Sequence, residues 1–367
     1  MCTSHPTLTL DPDNTNRADG LDDRIVEATI GTLELFAVHL GNRLGLYEIL
    51  NRQGPLTFDE LAANGRIDAR YAQEWLEQQA VAGYLSVDDP AAEAQIRRYS
   101  LPEEHRGVLA DPADGAHVAP LARMLVGIAN VLDEVEAAYR TGDGVAYERY
   151  GAHFRNGQGG VNRPAFENDL VDAWLPAVPG VEAALANGGR LADVGCGQGW
   201  STVAIAKRWP TADVVGVDMD AASIADARTV NEKNNGAARF ATLDGGSLDE
   251  LGSFDVVTLL EALHDMAHPV DALRSIRGAL QPGGVLVVAD ELVADDFMAP
   301  GDELERMMYG WSVSHCLPAA RAEQDSAALG TVLRADTVRA LAAEAGFGSV
   351  DVVDVDGGFF RIYALRP

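Results

Sequence analysis

Four acidic residues stand where apolar runs of this 367-residue chain stop: Asp193 in "LADVGCGQGW", Asp218 in "ADVVGVDMD", Asp244 in "ATLDGG" and Glu261 in "VVTLLEALHD". Carboxylates accept hydrogen bonds and repel anions, so such a row suits hydroxyls, amines or a cation and turns phosphate away. Gly195, Gly197 and Gly199 follow the first acid at every second residue, with Cys196 inside the turn. Glycines after a strand let a ligand approach the backbone, as in the dinucleotide fingerprint G-x-G-x-x-G. Here the third glycine comes one residue early and Trp200 stands where that fingerprint needs glycine, so a pyrophosphate is not the expected occupant. Two other stretches carry chemistry. "ALHDMAHP" sets His264 and Asp265 just past the fourth run, and an imidazole takes a proton near neutral pH. "SVSHC" sets His315 beside Cys316, residue types that suit zinc or iron. Their spacing to His264 and His268 matches no known ligand pattern, and no metal is expected.

The elements that must position these groups can be read from the apolar runs. From Gly189 onward "RLADVGC", "ADVVGVDMD", "ARFATLD", "FDVVTLLEALHD" and "GGVLVVADEL" alternate with helical stretches, which predicts an α/β fold: a doubly wound parallel sheet with helices on both faces. Ligands of such sheets sit beyond the carboxyl ends of the strands, where the four acids fall. Residues 25–50 repeat apolar side chains at helical spacing and break at "NRQGP". Two short helices opened by Thr57 and Asp68 follow, then a "GYLSV" strand and "IRRYSLP" as its return. That is the outline of a winged helix. Residues 113–178 read as mostly helical, with a loop at the glycine-rich "NGQGGVNRP". Tyr147, Tyr150 and His153 in this part are candidate lid residues, with packing as their competing role.

Charge excludes one class of partner. The formal net charge is −28 and only Lys207 and Lys233 are lysines, so the field repels a nucleic acid. The helix that would enter a groove, Asp68 to Ala82, sets Arg70 against Asp68, Glu74 and Glu77, and no DNA reading is expected of it. Such acidity fits a salt-rich, halophilic host or simply an acidic enzyme. No apolar run approaches the 18 or so residues of a membrane span, and "MCTSHPTLTLDPDNTNRADG" lacks a basic-then-apolar signal. The expectation is a cytoplasmic protein with a disordered tail over residues 1–20 and no membrane partner. Cys2, Cys196 and Cys316 are an odd number without C-x-x-C spacing, consistent with reduced thiols.

Asp218 can accept both hydroxyls of a ribose and Asp244 the exocyclic amine of an adenine. A ligand offering those groups and a cationic centre, without phosphate, is S-adenosyl-L-methionine. Over residues 189–295 the sequence resembles the class I S-adenosylmethionine-dependent methyltransferases. The winged-helix-like start, "LHD" after the fourth strand, S-x-x-H-C and the later "LGT" narrow the resemblance to a family of bacterial and archaeal small-molecule methyltransferases, similar in layout to plant-type O-methyltransferases. The resemblance implies a Rossmann-like sheet with an antiparallel last strand, "FRIYALRP", and a homodimer formed through the N-terminal domain. It implies cofactor contact at Asp193, Gly195, Gly197, Asp218, Asp244 and Glu261, with Cys196, Gly199, Met219 and Gly245 beside them. The reaction it implies is methylation of a small-molecule acceptor, O-methylation favoured. His264 would then be the general base or a positioning residue, Asp265 or Glu261 its orienting carboxylate, and His315 a second residue facing the substrate. The expected divisions are 21–112, winged-helix-like dimerisation or lid domain; 113–178, helical linker and substrate lid; 179–367, methyltransferase domain. Two alternatives stay open: an S-adenosylmethionine-binding enzyme of non-methylating chemistry, and a winged-helix metabolite-sensing regulator.

Overall fold

Capping residues open two helices of the first part of the chain. The computed structural model describes residues 20–367; the expected tail, Gly20 aside, and Cys2 lie outside the described residues. Helix α1 (Leu21–Arg43) turns at Gly45 into α2 (Leu46–Gln53), which Gly54 ends. Thr57 and Glu60 form a reciprocal capping box at the start of α3 (Phe58–Gly65), and the Asp68 carboxylate accepts from the Arg70 and Tyr71 amides to open α4 (Ala69–Val81). The wing is β1 (Ser86–Val87) paired antiparallel with β2 (Tyr99–Ser100), much shorter than the two apolar runs suggest. Helix α5 (Arg106–Ala110) closes this compact unit at Ala110. In its core the Trp75 ring meets Tyr47 edge-on and its indole N–H donates to the Ala37 carbonyl at 2.9 Å. Along α1, Leu21, Ile25, Leu33, Phe36 and Leu40 stay exposed.

The second unit runs Asp111–Pro367, and the stretch expected as a linker is part of it. It opens with α6 (Leu121–Ala129), α7 (Leu132–Thr141) and α8 (Tyr147–Glu167). Here one expectation fails: "NGQGGVNRP" is not a loop but the middle of α8. Its glycines are there because neighbours press on them. A Cβ on Gly157 would come within 2.7 Å of the Met124 amide nitrogen and 3.0 Å of the Pro120 carbonyl oxygen, and Gly159 lies against Gln198. Packing overrides the poor helix propensity of glycine. The real break is upstream at Gly151, whose φ of 68° bends the helix.

A wide π turn (Leu170–Trp174), α9 (Leu175–Ala177) and α10 (Val181–Ala186) lead to the sheet. Its first half is β3 (Arg190–Val194), α11 (Trp200–Arg208), β4 (Asp213–Asp218), α12 (Ala221–Lys233) and β5 (Arg239–Thr242). Then come β6 (Phe254–Leu260), α13 (Pro269–Ala279), β7 (Leu280–Glu291), α14 (Glu303–Trp311), a second π turn (Ser312–Cys316), α15 (Leu317–Ala320), α16 (Ala335–Glu344), β8 (Ser349–Val352) and β9 (Phe360–Arg366). The strand order is β5-β4-β3-β6-β7-β9-β8, with β3 to β7 parallel and β9 antiparallel to both its neighbours. The antiparallel last strand is as expected. Edge strand β8 was not foreseen, because its "SVDV" is largely exposed and shows no buried face. Alternate residues feed two cores: Leu191, Val214, Val256 and Val287 one side, Ala192, Val215, Val257 and Leu286 the other. Strand order reverses between β3 and β6, which opens the crevice of a doubly wound sheet where the glycine turn and Glu261 lie. Among the described residues no helix is long and apolar enough to cross a membrane.

The pressed glycine is testable. Gly157→Ala should lower stability by about 1–3 kcal/mol, the usual cost of overpacking, whereas Gly278→Ala in α13, with nothing within 4 Å of its Cβ position, should gain about 0.5–1 kcal/mol from propensity. Denaturant midpoints measure both; a Gly157→Ala midpoint equal to wild type would show that α6 and α8 are not in close apposition.

Candidate active site

The glycine turn is held from below. Asp193, fully buried, accepts 2.6 Å hydrogen bonds from the hydroxyls of Ser201 and Thr202 at the start of α11 and one of 2.8 Å from Thr258 on β6. Burial raises its pKa against the pull of those hydroxyls. Its oxygens are thus spent on the protein, and it supports the turn. Gly195, Gly197 and Gly199 have φ values of 69°, 50° and 75°, a left-handed conformation that disfavours side chains. Cys196 is buried among these, its amide donating to the Val217 carbonyl; burial holds its thiol far from ionisation, so it fills space.

Asp218 ends β4 beside the turn. One of its oxygens accepts from the Gly197 amide and the other from the Asp220 amide, both at 2.8 Å. Each oxygen keeps a lone pair for a ligand. Burial pushes the carboxyl up to about 6, against those two N–H groups. Met219 is exposed next to it. Asp244 is exposed and caps a short 3₁₀ turn through the Gly246 amide at 2.7 Å, with Gly245 packed near Val194. These groups lie along one edge of the crevice.

Glu261 follows β6 with φ of 52°, a costly conformation for a non-glycine residue and one that concentrates at functional sites. Its carboxylate is bonded to the Asn162 amide of α8, and burial pushes its pKa up to about 7. Helix α8 also reaches the crevice through Arg155, which donates to Asp226 at 2.8 Å; Gln198 of the turn shares that acceptor at 3.1 Å. Arg163 stacks over Trp200 at 4.2 Å. The helix therefore covers the turn.

His264 is 2% exposed and ringed by acids. Nδ1 lies 3.0 Å from Asp290 and 3.2 Å from Glu291, and Nε2 lies 3.4 Å from Asp265. The partner bonded at Nδ1 is thus Asp290, in place of the expected Asp265 or Glu261. Burial disfavours the imidazolium, but Glu291, Asp290 and Asp265 outweigh it and raise its pKa well above the ordinary histidine value. Asp290 stays ionised: burial opposes this and the imidazolium prevails. Burial drives Glu291 strongly upward, toward its neutral form. In the π turn, His315 is 1% exposed, stacked on Phe154 at 3.7 Å and flanked by Tyr150 and Tyr147 at 4.5 and 5.8 Å. Burial lowers its pKa to about 4 and raises that of Cys316 to about 12. A π turn inside a helix is a frequent mark of a functional position.

Sequence reasoning missed Asp290, Glu291, Asn162 and Arg155. The first two end the apolar run of the fifth strand, so the logic applied to four strands would have found them in a fifth. Asn162 was hidden in the stretch read as a loop. Among the described residues, metal-ligand atoms converge in two groups, His264 with Asp265 and Cys316, and His264 with Asp290 and Glu291. In both, the His264 nitrogens already face carboxylates.

Asp218 keeps lone pairs for ribose hydroxyls and Gly197 leaves open space beside it. Trp200 stands where a dinucleotide fingerprint needs glycine next to the pyrophosphate, so the turn suits S-adenosylmethionine, which carries no phosphate, better than a nicotinamide dinucleotide. Comparison with known proteins agrees. Residues 185–336 match the family described as methyltransferase domain, and residues 31–111 the Rv2258c-like winged HTH domain. The chain carries a methyltransferase domain preceded by a winged helix-turn-helix domain. Among curated relatives it is 36% identical over 120 residues to a ubiquinone biosynthesis O-methyltransferase of Pseudomonas aeruginosa, covering 32% of this chain and 48% of that one. It is 32% identical over 119 residues to a trans-aconitate 2-methyltransferase of Streptomyces avermitilis, covering 32% and 43%. The chain spans less than half the length of these relatives. Human N-acetylserotonin methyltransferase, solved with S-adenosylmethionine, shares its fold with a TM-score of 0.70 at 18% identity, over 95% of this chain and 99% of that one. Mitomycin 7-O-methyltransferase does so with a TM-score of 0.67 at 18% identity, over 94% and 97%.

His264 and His315 should titrate in opposite directions. Histidine NMR at pH 7 should show the His264 ring doubly protonated and the His315 ring neutral. Asp290→Asn should bring the His264 titration down toward the ordinary value of about 6.5. A His264 neutral at pH 7 in the wild type would refute this electrostatic picture.

Proposed function

We propose that this protein is an S-adenosylmethionine-dependent methyltransferase acting on a hydroxyl of a small molecule, with His264 as the base. The observation that carries the reading is the pairing, across the point where strand order reverses, of an Asp218 carboxylate pinned by two amides with an imidazole held by Asp290. The names of the relatives, O-methyltransferase of ubiquinone biosynthesis and mitomycin 7-O-methyltransferase among them, favour oxygen as the acceptor atom.

Bound in the crevice, S-adenosylmethionine would supply a methyl group on a sulfonium sulfur. Asp218 would accept both ribose hydroxyls, and Asp244, through the oxygen that does not cap its turn, the adenine amine. Glu261 would face the cationic end, and α8 would exclude water from the transfer. His264 Nε2 takes the proton of the acceptor hydroxyl, and Asp290 stabilises the resulting imidazolium. Because its neighbours favour the charged ring, only its neutral fraction serves as base. Turnover should therefore rise with pH through the raised pKa, well above the ordinary histidine range.

The reading extends to a cytoplasmic homodimer without a nucleic-acid or membrane partner. The exposed apolar stripe of α1 supports association of two copies, and Arg70 of α4 is already paired with Glu74. The solution mass should be twice 39.0 kDa, falling to one chain when Leu33 and Phe36 are made acidic.

Two measurements test the activity. Calorimetry should show S-adenosylhomocysteine binding that weakens as pH falls below about 6, where Asp218 takes a proton. Asp218→Ala should cost about 1.5–3 kcal/mol of affinity; tighter binding of NAD than of S-adenosylhomocysteine would reject the cofactor. His264→Ala should lower turnover by about 10² to 10⁴ with cofactor affinity retained. Near-wild-type turnover in that variant would leave His264 a positioning role only.

A further inference from the structure

On the acceptor side of the crevice the acids are not balanced by bases. Glu261, Asp265, Asp290 and Glu291 gather around one imidazole, and both its nitrogens face carboxylates of the protein itself. The positive charge of His264 is thus already used. Asp265 Oδ1 is buried and accepts no hydrogen bond, with His264 Nε2 at 3.4 Å. His315 is a second polar group left without a full set of partners in the same place. Its Nδ1 lies 3.4 Å from the Cys316 sulfur, which is itself within 4.8 Å of ligand atoms of His264 and Asp265. Its Nε2 is buried without a partner, which is costly unless a ligand completes it. Phe154, Tyr150 and Tyr147 pack around this ring, and aromatic walls of this kind hold flat rings and attract cations over their faces.

We propose that the acceptor end of the site chooses its substrate by charge: it takes an aromatic alcohol that carries a cationic amine, with Asp265 meeting the amine, and turns aromatic carboxylates away. This rests on the methyl-transfer reading above. The geometry limits the size of the molecule. A hydroxyl on His264 Nε2 and an ammonium on Asp265 Oδ1, atoms 3.4 Å apart, each within a hydrogen bond of about 2.9 Å, are no more than about 9 Å from one another. A phenol with a two-carbon amine arm meets that limit. A carboxylate in place of the amine would meet Asp265 with like charge beside buried groups, where repulsion is least screened.

Three phenols of one ring size separate the terms: tyramine, 4-ethylphenol and 4-hydroxyphenylacetate, titrated by calorimetry into the full chain loaded with S-adenosylhomocysteine. Tyramine should bind about tenfold or more tighter than 4-ethylphenol, and 4-hydroxyphenylacetate about tenfold or more weaker, the range of one charged hydrogen bond gained or one repulsion added. Asp265→Asn should bring tyramine and 4-ethylphenol to similar affinities, and Asp265→Glu, which keeps the charge, should restore the preference. The proposal is overturned if the carboxylate binds as tightly as tyramine, if the preference survives Asp265→Asn, or if none of the three binds a protein that holds S-adenosylhomocysteine. A chain that does not bind S-adenosylhomocysteine overturns the methyl-transfer reading and this proposal with it.

Discussion

Three hydroxyls converge on one buried carboxylate, and the geometry of the crevice follows from that meeting. Asp193 joins the end of β3 to the first turn of α11 through Ser201 and Thr202, and to β6 through Thr258. A buried carboxylate is costly unless its lone pairs are filled, and here the groups that fill them belong to the elements on either side of the glycine turn. The turn cannot shift without breaking short hydrogen bonds in a place that water does not reach. Asp218, tied to the Gly197 amide, inherits its position from this support. Asp193, one of the acids the sequence placed against the cofactor, is thus the footing for Asp218, which has lone pairs left for a ligand.

Much of the architecture was legible because it rests on local rules. Thr57 and Asp68 cap their helices as their side chains dictate, and the apolar runs from Leu191 to Val288 become the parallel strands. What escaped depends on contacts between distant segments. Gly157 and Gly159 look like loop residues until Met124, Pro120 and Gln198 are seen against them. The edge strand β8 has no buried face to betray it. In the site, the strand-end acids Asp218 and Glu261 could be named from position alone. That Asp290 is the partner of His264 depends on β6 and β7 lying side by side, 26 residues apart in sequence.

The electrostatics of the site divide it in two. On the β4 side one carboxylate is fixed by backbone amides and left with capacity for neutral donors. On the β6 and β7 side acids crowd an imidazole whose charge they maintain, while His315 a few residues of contact away is kept neutral by burial. Two histidines in one chain, under the same solvent conditions, hold opposite protonation because one has carboxylates at hydrogen-bond distance and the other has aromatic rings and a thiol.

Helix α8 brings a kinetic consequence. It is fastened over the glycine turn by Arg155 to Asp226 and by Asn162 to Glu261, and it is bent at Gly151, upstream of both contacts. For a molecule to enter or leave beneath it, these two contacts would have to open. Motions of that kind run on microsecond to millisecond timescales and often limit turnover. Glu261 is one of the fastenings, and burial raises its pKa to about 7, so a pH change near neutrality would act on the hold of this helix as well as on the charge beside the crevice.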